Sequence, residues 1–173
     1  KILIIGKGGR EHALAWNLSQ NQRIEQIYIA EGNAGCELLA KVKNVPLSKI
    51  DELHDFAQQQ QIDLTIVGSE ELLVQGIVDK FKASGLKIFG PDSQAAQLEG
   101  SKVFAKAFMN KYGIKTAQHQ SFNDYAAALK YLDQINYPIV IKASGLAAGK
   151  GVVIAESRND AEIALAEMLL EQV

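Results

Sequence analysis

The chain has 173 residues, 47% of them hydrophobic and 22% charged, with a formal net charge of −2. That length suits one large or two small globular domains, and the charge balance gives no electrostatic footprint for nucleic acid. A lone Cys36 excludes an internal disulfide and a multi-cysteine metal site and suits a reducing compartment; no apolar run approaches membrane length and no signal peptide is visible, so a cytoplasmic protein is expected. A monomer is expected as well.

Ile2–Ile5 is a continuous apolar run, as expected of a strand buried on both faces of a parallel sheet. Gly6-Lys7-Gly8-Gly9 then turns into a helix from about Arg10 to Ser19, with Leu14 and Leu18 on one face, and Ile27–Ala30 reads as a second strand. This βαβ order is the dinucleotide-binding arrangement. The fingerprint is incomplete: Gly6 and Gly8 fill its first two glycine positions, but Glu11 fills the third, where a carboxylate opposes close helix–strand packing. Glu31 stands where a ribose-binding acid would, so NAD binding is one reading. A monophosphate or a sugar is another, because amides at a helix N-terminus favour an anion. Glu11 would then face ligand hydroxyls or an amine, with Arg10 and His12 as weaker candidates beside it.

Glu31-Gly32-Asn33-Ala34-Gly35 is a second small-residue loop at a strand's carboxyl end, where ligands of open α/β sheets bind. A short strand over Val42–Leu47 leads to a helix capped by Ser48, with Asp51 as its acidic third residue and Ile50, Leu53 and Ala57 as its apolar face. His54 reads as exposed. Leu64–Val67 is a third buried strand, and Gly68-Ser69-Glu70-Glu71 opens one helix carrying Leu73, Ile77 and Phe81, with Gly85 just past its end. Leu86–Phe89 is another strand, closed by Gly90-Pro91. Three loops after buried strands thus converge on one candidate pocket.

After Pro91 come a small helix over Ser93–Leu98 and a longer one over Ser101–Tyr112, which puts Phe104, Phe108 and Tyr112 on one face. Lys102 falls in its first turn, where a cation opposes the helix dipole. From Gly113 a second unit begins: a strand near Gln118–Phe122, a helix near Asp124–Ile135, a lysine-bearing hairpin, and a helix capped by Ser157.

The hairpin carries the most distinctive chemistry. An apolar run from Tyr137, expected as a strand and ending at Lys142, is followed by a loop holding Gly145, Ala147, Ala148, Gly149, Lys150 and Gly151, and the β-branched run Val152-Val153-Ile154 returns. Glycines let such a loop aim backbone N–H groups at a ligand, and two lysines suit a polyphosphate. It is not a P-loop: three residues, not four, separate Gly145 from Gly149, no hydroxyl residue follows Lys150, and a strand comes next. A hairpin closing over a nucleotide fits better, with the Lys142 stem packed in the strand and its ammonium on the phosphates. An ordinary glycine-rich hairpin with solvated lysines is the bland alternative.

Taken together, Gly6–Ala13, Gly32–Gly35, Phe89–Pro91, Ala95–Lys102 and Val140–Gly151 resemble the phosphoribosylamine–glycine ligase family of the ATP-grasp superfamily, over essentially the whole chain. The resemblance implies an α/β fold: a Rossmann-like parallel sheet in residues 1–100 as substrate domain, the start of the central ATP-grasp domain in 101–117, and an α+β lid subdomain in 118–173. It implies ATP-dependent ligation of glycine to 5-phosphoribosylamine, giving glycinamide ribonucleotide, ADP and phosphate through glycyl phosphate. It places Lys102, Lys142, Gly145, Ala147, Ala148, Gly149, Lys150 and Gly151 on ATP. It places Gly8, Gly9, Arg10, Glu11, Asn33, Gly35 and Glu70 on phosphoribosylamine. Mg²⁺ or Mn²⁺ is implied as well, with its ligands and the glycine site expected beyond residue 173, so that this stretch alone folds in part and does not catalyse. No residue here is an evident nucleophile or general base. Three positions depart from the family's usual pattern: Lys7 for Asn, Glu31 for Pro and Ser69 for Pro, the last two bearing on the shape of the substrate pocket. Two rivals stand beside this reading. An NAD-dependent oxidoreductase would use Gly6, Gly8 and Glu31 but leaves the hairpin unexplained; the other is a non-catalytic nucleotide-binding module.

Overall fold

The computed structural model describes residues 1–145 and 151–171. They fall into two compact units, Lys1–Gly100 and Ser101–Val173. No helix among the described residues is long and apolar enough to cross a membrane.

The first unit runs β1 (Ile2–Gly6), α1 (Gly9–Ser19), β2 (Ile27–Glu31), α2 (Ala34–Glu37), β3 (Val42–Val45), α3 (Ile50–Gln59), β4 (Leu64–Val67), α4 (Glu70–Val74), α5 (Ile77–Ala83), β5 (Ile88–Phe89) and α6 (Ser93–Gly100). The five strands form one sheet in the order β3-β2-β1-β4-β5, with every adjacent pair parallel. The apolar runs are continuous because helices cover both faces. Leu3 and Ile5 of β1 pack on one side with Ala30, Val45 and Val67, against Leu53 and Ala57 of α3 and Ile77, Val78 and Phe81 of α5. Ile4 points the other way, joining Ile27, Ile29, Ala15 and Cys36. From β1 the chain steps outward through β2 to β3, then returns to the far side of β1 at β4. The carboxyl ends of β1 and β4 therefore form the switch point at which such sheets bind ligands.

Four local expectations give way here. The helix expected through Leu73, Ile77 and Phe81 is two helices, because Gly76 adopts a left-handed conformation (φ 90) that ends α4 and serves as the N-cap of α5. Ser48 does not cap α3; it stands one residue too early, and the N-cap is Lys49, which makes no side-chain cap bond. His54 is not exposed: its Nε2 lies 2.8 Å from Ser84 Oγ. Its ring meets Phe81 edge-on at 5.6 Å. The last strand is shorter than expected, because only Ile88 and Phe89 pair with β4.

The second unit holds α7 (Lys102–Lys111), α8 (Tyr125–Leu132), β6 (Ile139–Lys142), β7 (Val152–Ala155) and α9 (Arg158–Leu169). β6 and β7 pair antiparallel, with Val140 opposite Ile154 and Lys142 opposite Val152. The hairpin's inner face, Ile139, Ile141 and Ala155, packs on Ala128 and Leu132 of α8 and Ala161 and Leu165 of α9. Ser157 caps α9 in a reciprocal pair with Asp160: the Asp160 N–H donates to Ser157 Oγ at 3.2 Å and the Ser157 N–H to Asp160 Oδ2 at 3.0 Å. The strand expected at 118–122 is irregular backbone. Gln118, His119, Gln120 and Ser121 offer no apolar face, Phe122 alone reaches the core, and the hairpin sheet has only its own two strands.

Candidate functional site

A cavity of about 690 Å³ opens at the carboxyl ends of β1, β2 and β4 in the first unit. Of the residues placed on phosphoribosylamine, Gly8, Arg10, Glu11 and Glu70 line it; Gly9, Asn33 and Gly35 do not. A fourth wall is the loop from β3 with the start of α3, Leu47 to Asp51, which sequence reasoning missed. Its position after a parallel strand is the signal that marks it, and the cap-like type of Ser48 masks that signal.

Glu11 is the organising residue, and it is buried, with 3% exposure. It is the third residue of α1, and its Oε2 accepts the Gly8 N–H at 2.8 Å, which satisfies an otherwise orphaned helix-start donor. Its Oε1 accepts from Arg10 Nε at 2.9 Å. Glycines clear the space: a Cβ at Gly68 would sit 2.0 Å from Glu11 Oε1, and one at Gly6 would sit 2.8 Å from its Cδ. This resolves the conflict at the third fingerprint position. The room that a glycine on α1 would have provided comes instead from Gly6 on β1 and Gly68 after β4. Both carboxylate oxygens are engaged by the protein, so Glu11 sets the shape of the turn instead of presenting an open carboxylate.

Arg10 spans the switch point. Besides Glu11, its Nη2 donates to the Gly68 carbonyl oxygen and, at 3.0 Å, to Glu70 Oε1. The two carboxylates, Glu11 first, hold the guanidinium more firmly protonated than usual. The Glu70 carboxyl is held below its ordinary range by its own backbone N–H first and by Arg10 after it, against the opposing effect of partial burial. Asn33 works on the turn from behind. Its Oδ1 accepts the Cys36 N–H at 3.2 Å, while its Nδ2 donates to the Lys7 and Gly8 carbonyl oxygens at 3.0 and 3.3 Å. Gly35 leaves room for His12, whose Cε1 would meet a Cβ there at 2.7 Å. At the cavity rim Lys7 Nζ lies 2.9 Å from Glu31 Oε2.

The second unit gathers the other candidates. Lys102 Nζ donates to the Gly145 carbonyl oxygen at 2.9 Å, which joins the start of α7 to the start of the hairpin loop. Lys142 is exposed, on the outward hairpin face with Val140, Val152 and Ile154. Its stem is thus part of an apolar outer surface and not of the core. Gly151 is described and opens β7, whereas Ala147, Ala148, Gly149 and Lys150 lie outside the described residues. No group of three or more His, Cys, Asp or Glu side chains that could hold a metal ion occurs among the described residues.

Residues 1–99 match the family model for phosphoribosylglycinamide synthetase, N domain, and residues 100–173 match that for its ATP-grasp (A) domain. Phosphoribosylamine–glycine ligase of Fusobacterium nucleatum is 58% identical over 173 residues, which cover 100% of this chain and 41% of the relative. The enzyme of the same name from Escherichia coli K12 is 53% identical over 171 residues, covering 98% of this chain and 40% of the relative. The chain therefore spans about two fifths of the length of these curated relatives. Among solved structures, phosphoribosylamine–glycine ligase from Thermotoga maritima superposes with a TM-score of 0.71 at 31% identity, covering 94% of this chain and 37% of that one. N5-carboxyaminoimidazole ribonucleotide synthetase from Thermus thermophilus shares the fold, with a TM-score of 0.68 at 17% identity, over 98% of this chain and 44% of that one.

Proposed function

The chain belongs to the phosphoribosylglycinamide synthetase family, and on that premise we propose that the whole protein ligates glycine to 5-phosphoribosylamine at the expense of ATP, giving glycinamide ribonucleotide, ADP and phosphate. A carboxylate is a poor acyl donor, so the γ-phosphoryl group activates glycine before the amine attacks. Such transfer needs positioning and charge neutralisation above all. The observation that carries the reading is the outward face of the β6–β7 hairpin. Val140, Val152 and Ile154 offer an apolar surface, Lys142 stands among them, and Lys102 reaches the same loop at Gly145. A nucleotide has this division, an apolar base and a polyanionic tail. Lys102 and Lys142 bind the phosphates, and the segment from Gly145 to Gly151 covers them and keeps water from the activated acyl group. Magnesium or manganese supplies further neutralisation, held by residues outside this chain.

The cavity of the first unit takes phosphoribosylamine. The N-terminus of α1 suits an anion or a sugar, and Glu11, which takes the Gly8 N–H, holds the glycine turn there with Arg10 and Glu70 against the β4–α4 loop. A dinucleotide fits less well. The Glu31 carboxylate that would take its ribose is paired with Lys7, and the buried Glu11 side chain stands at the fingerprint's third glycine position. Titration calorimetry on the whole protein tests the reading, with saturable binding expected for ATP–Mg²⁺ and none for NAD. Saturable NAD binding without a response to ATP overturns it.

A further inference from the structure

Resting on the reading that a pentose phosphate occupies the first-unit cavity, we infer that Lys7 is an additional anion-binding residue of that site, and that Glu31 is its built-in competitor. Lys7, Arg10 and Lys49 are the cations in the cavity wall. Arg10 is committed to two carboxylates and a backbone carbonyl. Lys49 lies 3.5 Å from Glu52, away from the turn. Lys7 is different. It follows directly on β1 inside the glycine turn, its side chain is 73% exposed, and its ion pair is with Glu31. That pair is made by the last residue of β2, in register with Gly6, from a left-handed backbone (φ 65) that proline cannot adopt. An exposed pair exchanges partners readily, because water screens it. A phosphomonoester in the cavity beside Lys7 carries more charge than a carboxylate and three acceptor oxygens, so Lys7 leaves Glu31 for the ligand. Glu31 thereby sets a threshold: ligands without a phosphate do not displace it.

The test is binding of D-ribose 5-phosphate and of D-ribose to the whole protein, followed by calorimetry. Glu31→Gln is expected to tighten ribose 5-phosphate about two- to fivefold, the range an exposed ion pair supports, and to leave ribose unchanged. Lys7→Met is expected to weaken ribose 5-phosphate about tenfold, and adding Glu31→Gln to Lys7→Met should then bring no gain. The Glu31→Gln gain should shrink as sodium chloride rises, as screening requires. Ribose 5-phosphate binding that ignores both substitutions, or a Glu31→Gln gain that persists without Lys7, overturns this inference alone. Failure of ribose 5-phosphate to bind the unaltered chain overturns the cavity reading and this inference with it.

Discussion

Lys102 Nζ and the Gly145 carbonyl oxygen lie 2.9 Å apart, across 43 residues of sequence. A cation in the first turn of a helix works against the dipole by about 0.3–1 kcal/mol, so α7 keeps a residue that its own stability does not favour. Its reach to the hairpin explains why: the lysine serves the loop. Lys102→Met in the whole protein is expected to lower kcat/KM for ATP about tenfold, as loss of about 1.4 kcal/mol of contact requires. The melting temperature should stay within about 3 °C. Steady-state kinetics and a thermal scan check both. A large fall in melting temperature with an equal loss against every substrate would mean that the contact only holds the unit together.

The Glu11 cradle predicts a contrast between two glycines. Alanine at Gly68 would bring its Cβ to 2.0 Å from Glu11 Oε1 and push the carboxylate off its donors, whereas alanine at Gly9 would meet nothing within 4 Å. Gly68→Ala should therefore cost about 2 kcal/mol, the range for leaving a buried polar group unpaired. Gly9→Ala should change stability by no more than about 0.5 kcal/mol. Urea unfolding measures both. Equal effects would show that the glycines do not make room for Glu11.

Acid should loosen the switch point. The folded pKa of Glu70 lies below its ordinary 4.5, so its contribution is present above that value and is lost as pH falls through the folded pKa. The Glu70 side chain is 45% exposed, which limits its pairing with Arg10 to well under about 1 kcal/mol. Glu70→Gln should be slightly less stable than the parent at pH 7, and the two should converge as the pH falls through the lowered folded pKa of Glu70. Urea midpoints across that window test the sign. A gap that is constant with pH would show that ionisation of Glu70 is not its source.

The strands of the sheet were legible because burial on two faces leaves an unmixed apolar run; Ile2–Ile5 and Leu64–Val67 needed nothing more. The hairpin was legible for a related reason: β-branched residues flank a glycine loop, and the expected strands are β6 and β7. What failed depended on single residues or on partners far away. The four-residue spacing of Leu73, Ile77 and Phe81 overrode the signal in Gly76, whose left-handed backbone breaks the helix. A strand is expected near Gln118–Phe122, but strand pairing requires a neighbour, and β6 and β7 pair with each other. In the cavity wall, the glycine turn stands out by type and position, whereas Glu70, an ordinary acid at a helix start, is singled out only by the family resemblance. The burial of Glu11 beneath Gly6 and Gly68 does not show in the sequence, because it depends on three loops meeting. Nor does the Lys7–Glu31 pair, which joins the ends of two strands 24 residues apart in sequence.

The division of labour between the two units is tested most directly by kinetics of two variants of the whole protein, with each substrate varied in turn. Gly8 lines the first-unit cavity, and Lys142 stands on the outward hairpin face. Gly8→Val is expected to raise the KM for 5-phosphoribosylamine about tenfold and to leave that for ATP within about twofold. Lys142→Ala is expected to lower kcat/KM for ATP about ten- to a hundredfold, in keeping with about 1.5–3 kcal/mol for charge-assisted contacts. The KM for 5-phosphoribosylamine should then be nearly unchanged. A crossed pattern, with Gly8→Val acting on ATP or Lys142→Ala acting on phosphoribosylamine, would contradict the assignment of the two ligands.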